Sequence, residues 1–232
     1  MSLFLVISLG MSVMILIMLY AGKYRNIPVW KRVVLSVLLT ITGVAGTKLM
    51  VFIESGSFGG LSYFGAVFFA PVIMVFLGLI FRCKPSDTLD LCAPAECGML
   101  VVMKINCYRT GCCRGRVIAT TIEGAEIRFP SQIVEGLAAL GLMVVLLLLF
   151  RQDKQKGKLY PWYMILYGVT RFLLNLFRET TPFLWILPAG NFWSLVSLSL
   201  GLLSLFFIPK CPKWYQLPPQ KRRRKKKRRI HA

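Results

Sequence analysis

Residues 104–116, KINCYRTGCCRGR, put one lysine, three arginines, three cysteines and two glycines into a chain that is otherwise mostly Leu, Val, Ile and Phe. A lysine ammonium offers a phosphate a point charge, and an arginine guanidinium offers it a planar two-pronged contact. Downstream lie Glu135, Arg171 and Arg178. Arg171 and Arg178 are seven residues apart, which predicts roughly one helix face for both. Ionisable groups in an apolar run are costly and mark a polar interior, so Lys48, Glu96, Lys104, Glu135, Arg171 and Arg178 are the candidates. Lys48 lies near a span end, where it can snorkel to the interface. Basic groups outnumber acidic ones in this set, which suits an anionic ligand such as a phosphate. The structural alternative is a network pairing the cations with Glu96, Glu135 and Glu179.

The seven cysteines are Cys83, Cys92, Cys97, Cys107, Cys112, Cys113 and Cys211. The spacing C-x4-CC over Cys107, Cys112 and Cys113 matches no common zinc pattern. The one histidine, His231, lies in the basic tail, so no metal is expected in the body. A disulfide between Cys107 and one of the pair is one alternative. Small residues packing tightly beside Gly111 and Gly115 is the reading preferred here. Neighbouring cations lower a thiol pKa, which keeps nucleophilic chemistry open as a third.

The elements that must hold these residues are membrane helices. The 232 residues are 56% hydrophobic and only 16% charged, and the charges cluster between long apolar runs. Roughly 20 apolar residues span a bilayer core as a helix. The runs are continuous rather than alternating, which excludes a transmembrane barrel. Seven segments emerge: Leu3–Ala21, Val33–Ile53, Leu61–Phe81, Leu91–Cys107, Ile133–Phe150, Trp162–Phe177 and Phe183–Ile208. The first has no basic region before it and reads as a retained span, not a cleaved leader. The fourth is poor, with Pro94, Glu96 and Lys104 inside it.

The fold class expected is therefore all-α and polytopic, with about seven transmembrane helices. Basic residues in short loops set the orientation. With the N-terminus outside, Lys23, Arg25, Lys31, Arg32, Arg82, Lys84 and the Arg151–Lys158 loop fall inside, as does the C-terminus. Residues 108–132 break the rule: this outer loop carries Arg109, Arg114, Arg116 and Arg128. Such a loop either dips into the protein or uses its arginines on an anion. Residues 1–209 form the membrane domain, and 210–232 a cytoplasmic polybasic, disordered tail. The formal net charge is +20, and Lys221–Arg229 supplies nine of those charges. The tail reads as a topology anchor for anionic head groups, and no nucleic-acid partner is expected.

Five motifs in order resemble the prolipoprotein diacylglyceryl transferase family. They are SYFGA at 62–66, DLCAP at 90–94, MKINCYRTGCCRGR at 103–116, RFPSQIVE at 128–135 and YGVTRFLLNLFR at 167–178. The match covers about half the chain, and RFPSQ with YGVTRF is its most specific part. GCCRGR resembles a variant of divergent members. The resemblance implies a multi-pass enzyme of the bacterial cytoplasmic membrane. It would move a diacylglyceryl group from phosphatidylglycerol to the lipobox cysteine thiol of a preprolipoprotein, with glycerol 1-phosphate leaving and no cofactor. The partners implied are that lipid and the lipobox signal peptide. The alternative is a catalytically inactive or re-purposed phospholipid-binding relative.

Carried over by position, Tyr167 and Arg171 match the family's Tyr-x-x-x-Arg pair, and with Lys104 they are the catalytic candidates. Lys104, Arg116, Arg171, Arg178, Gly111 and Gly115 are the phospholipid-binding candidates. Ser131, Gln132 and Glu135 match the supporting segment. Asp90 and Pro94 match a turn before the fourth span. Four positions depart from the family pattern: its histidine falls at Phe64, its arginine at Lys104, its asparagine at Cys107 and a glutamate at Asn175. Phenylalanine takes no proton, so a base must come from Tyr63, Glu123, Glu126 or hydroxide.

Overall fold

The computed structural model describes residues 3–122, 124–152, 156–178, 182–184 and 187–208. The basic tail with His231, and also Cys211, Glu123 and Glu179, lie outside the described residues. Among the described residues the chain forms seven α-helices: α1 (Leu3–Gly22), α2 (Val29–Ser55), α3 (Phe64–Ile80), α4 (Pro85–Thr110), α5 (Ser131–Arg151), α6 (Leu159–Asn175) and α7 (Ala189–Phe207). Two short hairpins interrupt them. Strands β1 (Val117–Thr120) and β2 (Glu126–Arg128) pair antiparallel between α4 and α5. Strands β3 (Pro182–Leu184) and β4 (Leu187–Pro188) pair antiparallel before α7.

Local sequence sets the helix ends. Pro85 opens α4, where its missing N–H costs nothing. Prolines 28, 130 and 188 sit just before α2, α5 and α7. Gly56 and Gly111 close α2 and α4 in the left-handed region, at φ 69° and 66°. The segment read as poorest, around Pro94, is a 26-residue helix running straight through that proline. Asp90 and Pro94 therefore lie within α4, and the expected turn there is not formed.

Four helical stretches are long and apolar enough to cross a membrane: Phe4–Arg25, Val29–Ser55, Ser131–Arg151 and Ala189–Phe207, with the shorter apolar Phe64–Ile80 beside them. Their outward faces carry exposed Leu16, Ile41, Val72, Phe76, Leu148, Leu202 and Phe206. Such faces suit lipid tails. This construction is consistent with a helical membrane protein. α4 is polar because it sits at the centre, packed against α1, α3, α5 and α6. Asp87, Asp90, Glu96 and Lys104 on it are all buried. A central helix meets other helices on every side, so it carries no lipid-facing apolar stripe. At the α2–α3 crossing, Gly46 and Gly65 touch backbone to backbone, and a Cβ on Gly65 would strike the carbonyl of Gly46.

The interior polar groups gather in separate clusters at the two ends and the middle. At one end the Asp90 carboxylate accepts from Gly157 N at 2.6 Å and Leu159 N at 3.0 Å, capping the start of α6. Arg25 approaches Asp87 at 3.6 Å and Asp90 at 3.9 Å and lies over the Phe150 ring. In the middle, Glu96 accepts from Cys92 Sγ at 3.1 Å and Tyr160 Oη at 3.3 Å. Glu96 thus bonds to a thiol and a phenol, not to the cation cluster that the structural alternative assigned it.

Candidate functional site

At the other end, the C-terminal parts of α2, α4 and α6 meet the starts of α3, α5 and α7 around a cavity of about 630 Å³. Lys104 comes from the last two turns of α4, Glu135 from the first turns of α5, and Tyr167 and Arg171 from α6. Arg178 reaches the cavity from the segment after α6.

Glu135 is the hub. It is 4% exposed, and Lys104 Nζ lies 2.8 Å from its Oε2. Arg171 Nη1 lies 2.6 Å from Oε1, and Arg178 Nη1 lies 3.5 Å from Oε2. Three cations thus share one carboxylate, leaving a local excess of two positive charges in a buried setting. Arg178 reaches the hub from outside the helix expected to carry it. α6 ends at Asn175, and Arg178 forms an isolated bridge with Gly115. The chain turns after α6 and brings the side chain back, so the seven-residue spacing is not what aligns Arg171 and Arg178.

Tyr167 and Arg171 line this cavity, and Tyr167 Oη and Arg171 Nε are buried with no hydrogen-bond partner among the described residues. Unmet donors of this kind are expensive unless a ligand meets them. Phe64 lines the same wall, its ring 5.6 Å from that of Tyr167. Tyr63 is engaged elsewhere: it donates to the Glu96 carbonyl at 2.7 Å and accepts from Tyr163 at 3.2 Å. Glu126 is exposed and pairs with Arg128 at 2.7 Å, outside the cavity.

The glycines and the RFPSQ segment shape the rim. Gly115 donates to the Phe129 carbonyl, and the Arg116 N–H donates to that of Phe177 at 3.0 Å. A Cβ on Gly115 would collide with Phe129 and Phe177. Ser131 Oγ donates to the Cys113 carbonyl and Gln132 Nε2 to the Cys112 carbonyl, each at 2.7 Å. These two side chains fix the cysteine pair while Cys113 holds a left-handed φ of 58°. Gly111 and Gly115 set the backbone and do not line the cavity. Arg109, Arg114 and Arg116 are exposed and are not among the residues that line the cavity.

The three cysteine sulfurs of Cys107, Cys112 and Cys113 lie within 4.8 Å of one another on the cavity wall. Cys113, in the loop beyond α4, is held well below the usual thiol pKa. The Cys107 thiol donates to it, and Lys104 and Arg178 lie beside it.

Lys48, Glu54, Asn106 and Gly190 also line the cavity, and apart from Lys48 none was a site candidate from the sequence. Lys48 donates to the Phe58 carbonyl at 2.8 Å, tying the α2–α3 turn to the rim. Asn106 gave a signal that could have been used, a lone amide two residues from Lys104. Gly190 became readable only once the β3–β4 hairpin had turned α7 toward Asn175.

A family model described as prolipoprotein diacylglyceryl transferase matches residues 4–207. The chain is 24% identical over 222 residues to phosphatidylglycerol–prolipoprotein diacylglyceryl transferase 2 of Clostridium perfringens, covering 85% of this chain and 86% of that protein. It is 31% identical over 167 residues to the Campylobacter curvus phosphatidylglycerol–prolipoprotein diacylglyceryl transferase, covering 65% and 59%. To the Helicobacter hepaticus enzyme of that name it is 36% identical over 104 residues, covering 42% and 35%.

Proposed function

The chain belongs to the prolipoprotein diacylglyceryl transferase family, and from that membership we propose that it transfers a diacylglyceryl group from phosphatidylglycerol to the lipobox cysteine thiol of preprolipoproteins. The observation that carries this reading is the convergence of Lys104, Arg171 and Arg178 on Glu135 at the wall of the cavity.

The charge balance fits the reaction. The donor phosphodiester carries one negative charge. As the glyceryl carbon–oxygen bond breaks, a second develops on the departing phosphate. A site with two positive charges in excess binds the product-like state more strongly than the ground state, and that difference lowers the barrier. Arg171 offers its unmet Nε, and Tyr167 its unmet hydroxyl, to the phosphate oxygens. Glu135 keeps the three cations in register so that they need no reorganisation during the step. Lys104 contributes a point charge in place of a planar fork. Gly111 and Gly115 hold the rim, and Ser131 and Gln132 brace it. Arg116, on the exposed side of that rim, would meet head groups at the mouth.

In the membrane we take α1–α7 as seven spans, with the N-terminus and the cavity on the outer face of the bacterial cytoplasmic membrane. The C-terminal tail then lies in the cytoplasm, where its basic run meets anionic head groups.

A second reading is favoured by one observation: the ring of Phe64 fills the wall beside Tyr167, where an imidazole would be expected. On that reading the protein holds phospholipid without turning it over. Reporter lipidation separates the two. A strain depleted of its own transferase and producing this chain should show a diacylglyceryl mass gain on the lipobox cysteine of a reporter. Good membrane levels with no mass gain, and phosphatidylglycerol retained in native mass spectra, would establish the second reading instead.

A further inference from the structure

Thiol alkylation needs a thiolate, and the cavity wall holds no imidazole to make one. What it does hold is three thiols in one place, from two different elements. Cys107 lies in the last turn of α4. Cys112 and Cys113 follow the Gly111 cap, and the turn brings them back onto it. The backbone is committed to this arrangement. Cys112 N donates to the Cys107 carbonyl at 3.2 Å. Ser131 and Gln132 grip the carbonyls of Cys113 and Cys112 from α5. The resulting triangle of sulfurs, each within 4.8 Å of the others, opens on the cavity beside Lys104 and Arg178.

We infer that Cys107, Cys112 and Cys113 form a three-thiolate site for a thiophilic d10 metal ion, zinc being the representative, and that its open fourth position takes the lipobox thiol of the acceptor. This rests on the transferase reading above and deepens it. Zinc–sulfur bonds of about 2.3 Å in a tetrahedral set place the sulfurs about 3.8 Å apart, so a shift of about 1 Å closes the triangle. Three thiolates around a divalent ion make a complex of net charge −1. Lys104 and Arg178 stand beside it with the opposite sign. The absence of histidine from the membrane body selects sulfur-only ligation, which suits a soft ion. Three protein ligands and one open position are the arrangement of a catalytic metal, whereas a structural site closes with four.

The chemistry balances. The lipobox thiol loses its proton to water at the cavity mouth as its sulfur binds the ion, since a coordinated thiol is deprotonated outright. A sulfur lone pair then forms the bond to the glyceryl carbon. The carbon–oxygen bond to phosphate breaks, and its electron pair stays on the phosphate oxygen. The departing glycerol phosphate regains the proton. No oxidation state changes. The thioether product is a poorer ligand than the thiolate and leaves the ion free. The metal thus supplies what Phe64 cannot, and the cation hub handles the leaving group on the same wall.

The test uses the full chain purified in detergent under reducing conditions. Metal analysis should find about one zinc per chain in the wild type, as for a single catalytic site. Cys112→Ser and Cys113→Ser should lose it, and Cys83→Ser, between α3 and α4 at the other end, should keep it. Cobalt(II) loading gives a readout independent of activity. The wild type should show intense near-ultraviolet thiolate-to-cobalt charge transfer, and Cys107→Ser should not. A monodisperse wild type that takes up neither ion overturns the inference. So does zinc retained in the triple serine variant, or a Cys107 disulfide to Cys112 or Cys113 in the freshly isolated protein. Reporter lipidation unaffected by removing the metal would overturn the inferred role of the ion in holding the acceptor thiol and leave the transferase reading standing. Cysteine-dependent metal binding with no lipidation would leave the metal site standing and sink the transferase reading.

Discussion

Arg171 Nη1 and Glu135 Oε1 meet at 2.6 Å across the α5–α6 interface, and the same carboxylate also holds Lys104 and Arg178. One acid therefore serves three cations, and the two kinds of residue should respond differently to mutation. Arg171→Ala leaves Glu135 two partners, so the fold should survive. Transfer to a reporter lipoprotein should fall by on the order of 100- to 1000-fold, the usual loss for a preorganised donor to developing charge. Unchanged membrane levels with near-normal lipidation would remove Arg171 from the proposed site.

Glu135→Gln does the reverse. It strips the counter-charge from three buried cations, and uncompensated buried charge costs about 3–5 kcal/mol. The variant should melt well below the wild type in detergent, and added anionic phospholipid should recover part of the loss by supplying the missing charge. A melting curve that overlays the wild type would show that the cations do not depend on Glu135.

Lys104 carries the point charge where the family places a guanidinium. Lys104→Met keeps most of the side-chain volume and removes the charge, so it should cost on the order of 100-fold in transfer. Lys104→Arg keeps the charge facing Glu135 and should stay within about tenfold, because an added fork changes geometry more than charge. Equal losses in both variants would mean that packing, not charge, is what Lys104 contributes.

The sequence revealed different parts of this molecule to different degrees. Apolar runs gave away α1, α2 and α5 nearly end to end, because lipid-facing helices must be apolar along their length, whereas the run read as Phe183–Ile208 holds the β3–β4 hairpin before α7 begins at Ala189. α4 was the hardest to read for the same physical reason. A helix surrounded by helices can carry Asp87, Asp90, Glu96 and Lys104, so hydropathy undervalues it. Lys104, Glu135, Arg171 and Arg178 were readable as intramembrane charges. Their common meeting point was not, since Arg178 returns to the hub through a chain turn that no helical period encodes. The spacing of Cys107, Cys112 and Cys113 did not reveal that the three sulfurs lie within 4.8 Å of one another, because linear spacing does not show how the Gly111 cap folds the loop back.

The crossing of α2 and α3 gives a stability prediction independent of chemistry. Gly65 lies directly on the backbone of Gly46 and Thr47. Gly65→Ala must push the helices apart, and such overpacking costs about 1–3 kcal/mol. Gly43→Ala, three residues before Gly46 on α2, would place its Cβ 3.9 Å from that of Ala66, an ordinary contact, and should be close to neutral. Thermal denaturation of both variants in one detergent checks this; equal melting temperatures would show that the crossing is loose.

Asp90 separates family position from catalytic role. It matches a family motif, yet it lies fourteen residues before Lys104 on one helix, about 21 Å away at 1.5 Å per residue. Its carboxylate accepts from Gly157 N and Leu159 N and faces Arg25. Asp90→Ala would leave two buried N–H groups unpaired and Arg25 with one fewer counter-charge. Losses of this kind amount to about 3–5 kcal/mol. The start of α6 should loosen first, and with it the support of Tyr167 and Arg171 two to three turns on. The expected outcome is a much lower melting temperature, with phosphatidylglycerol still bound by the protein that remains folded at low temperature. A normal melting temperature with phospholipid binding abolished would instead place Asp90 in the binding machinery.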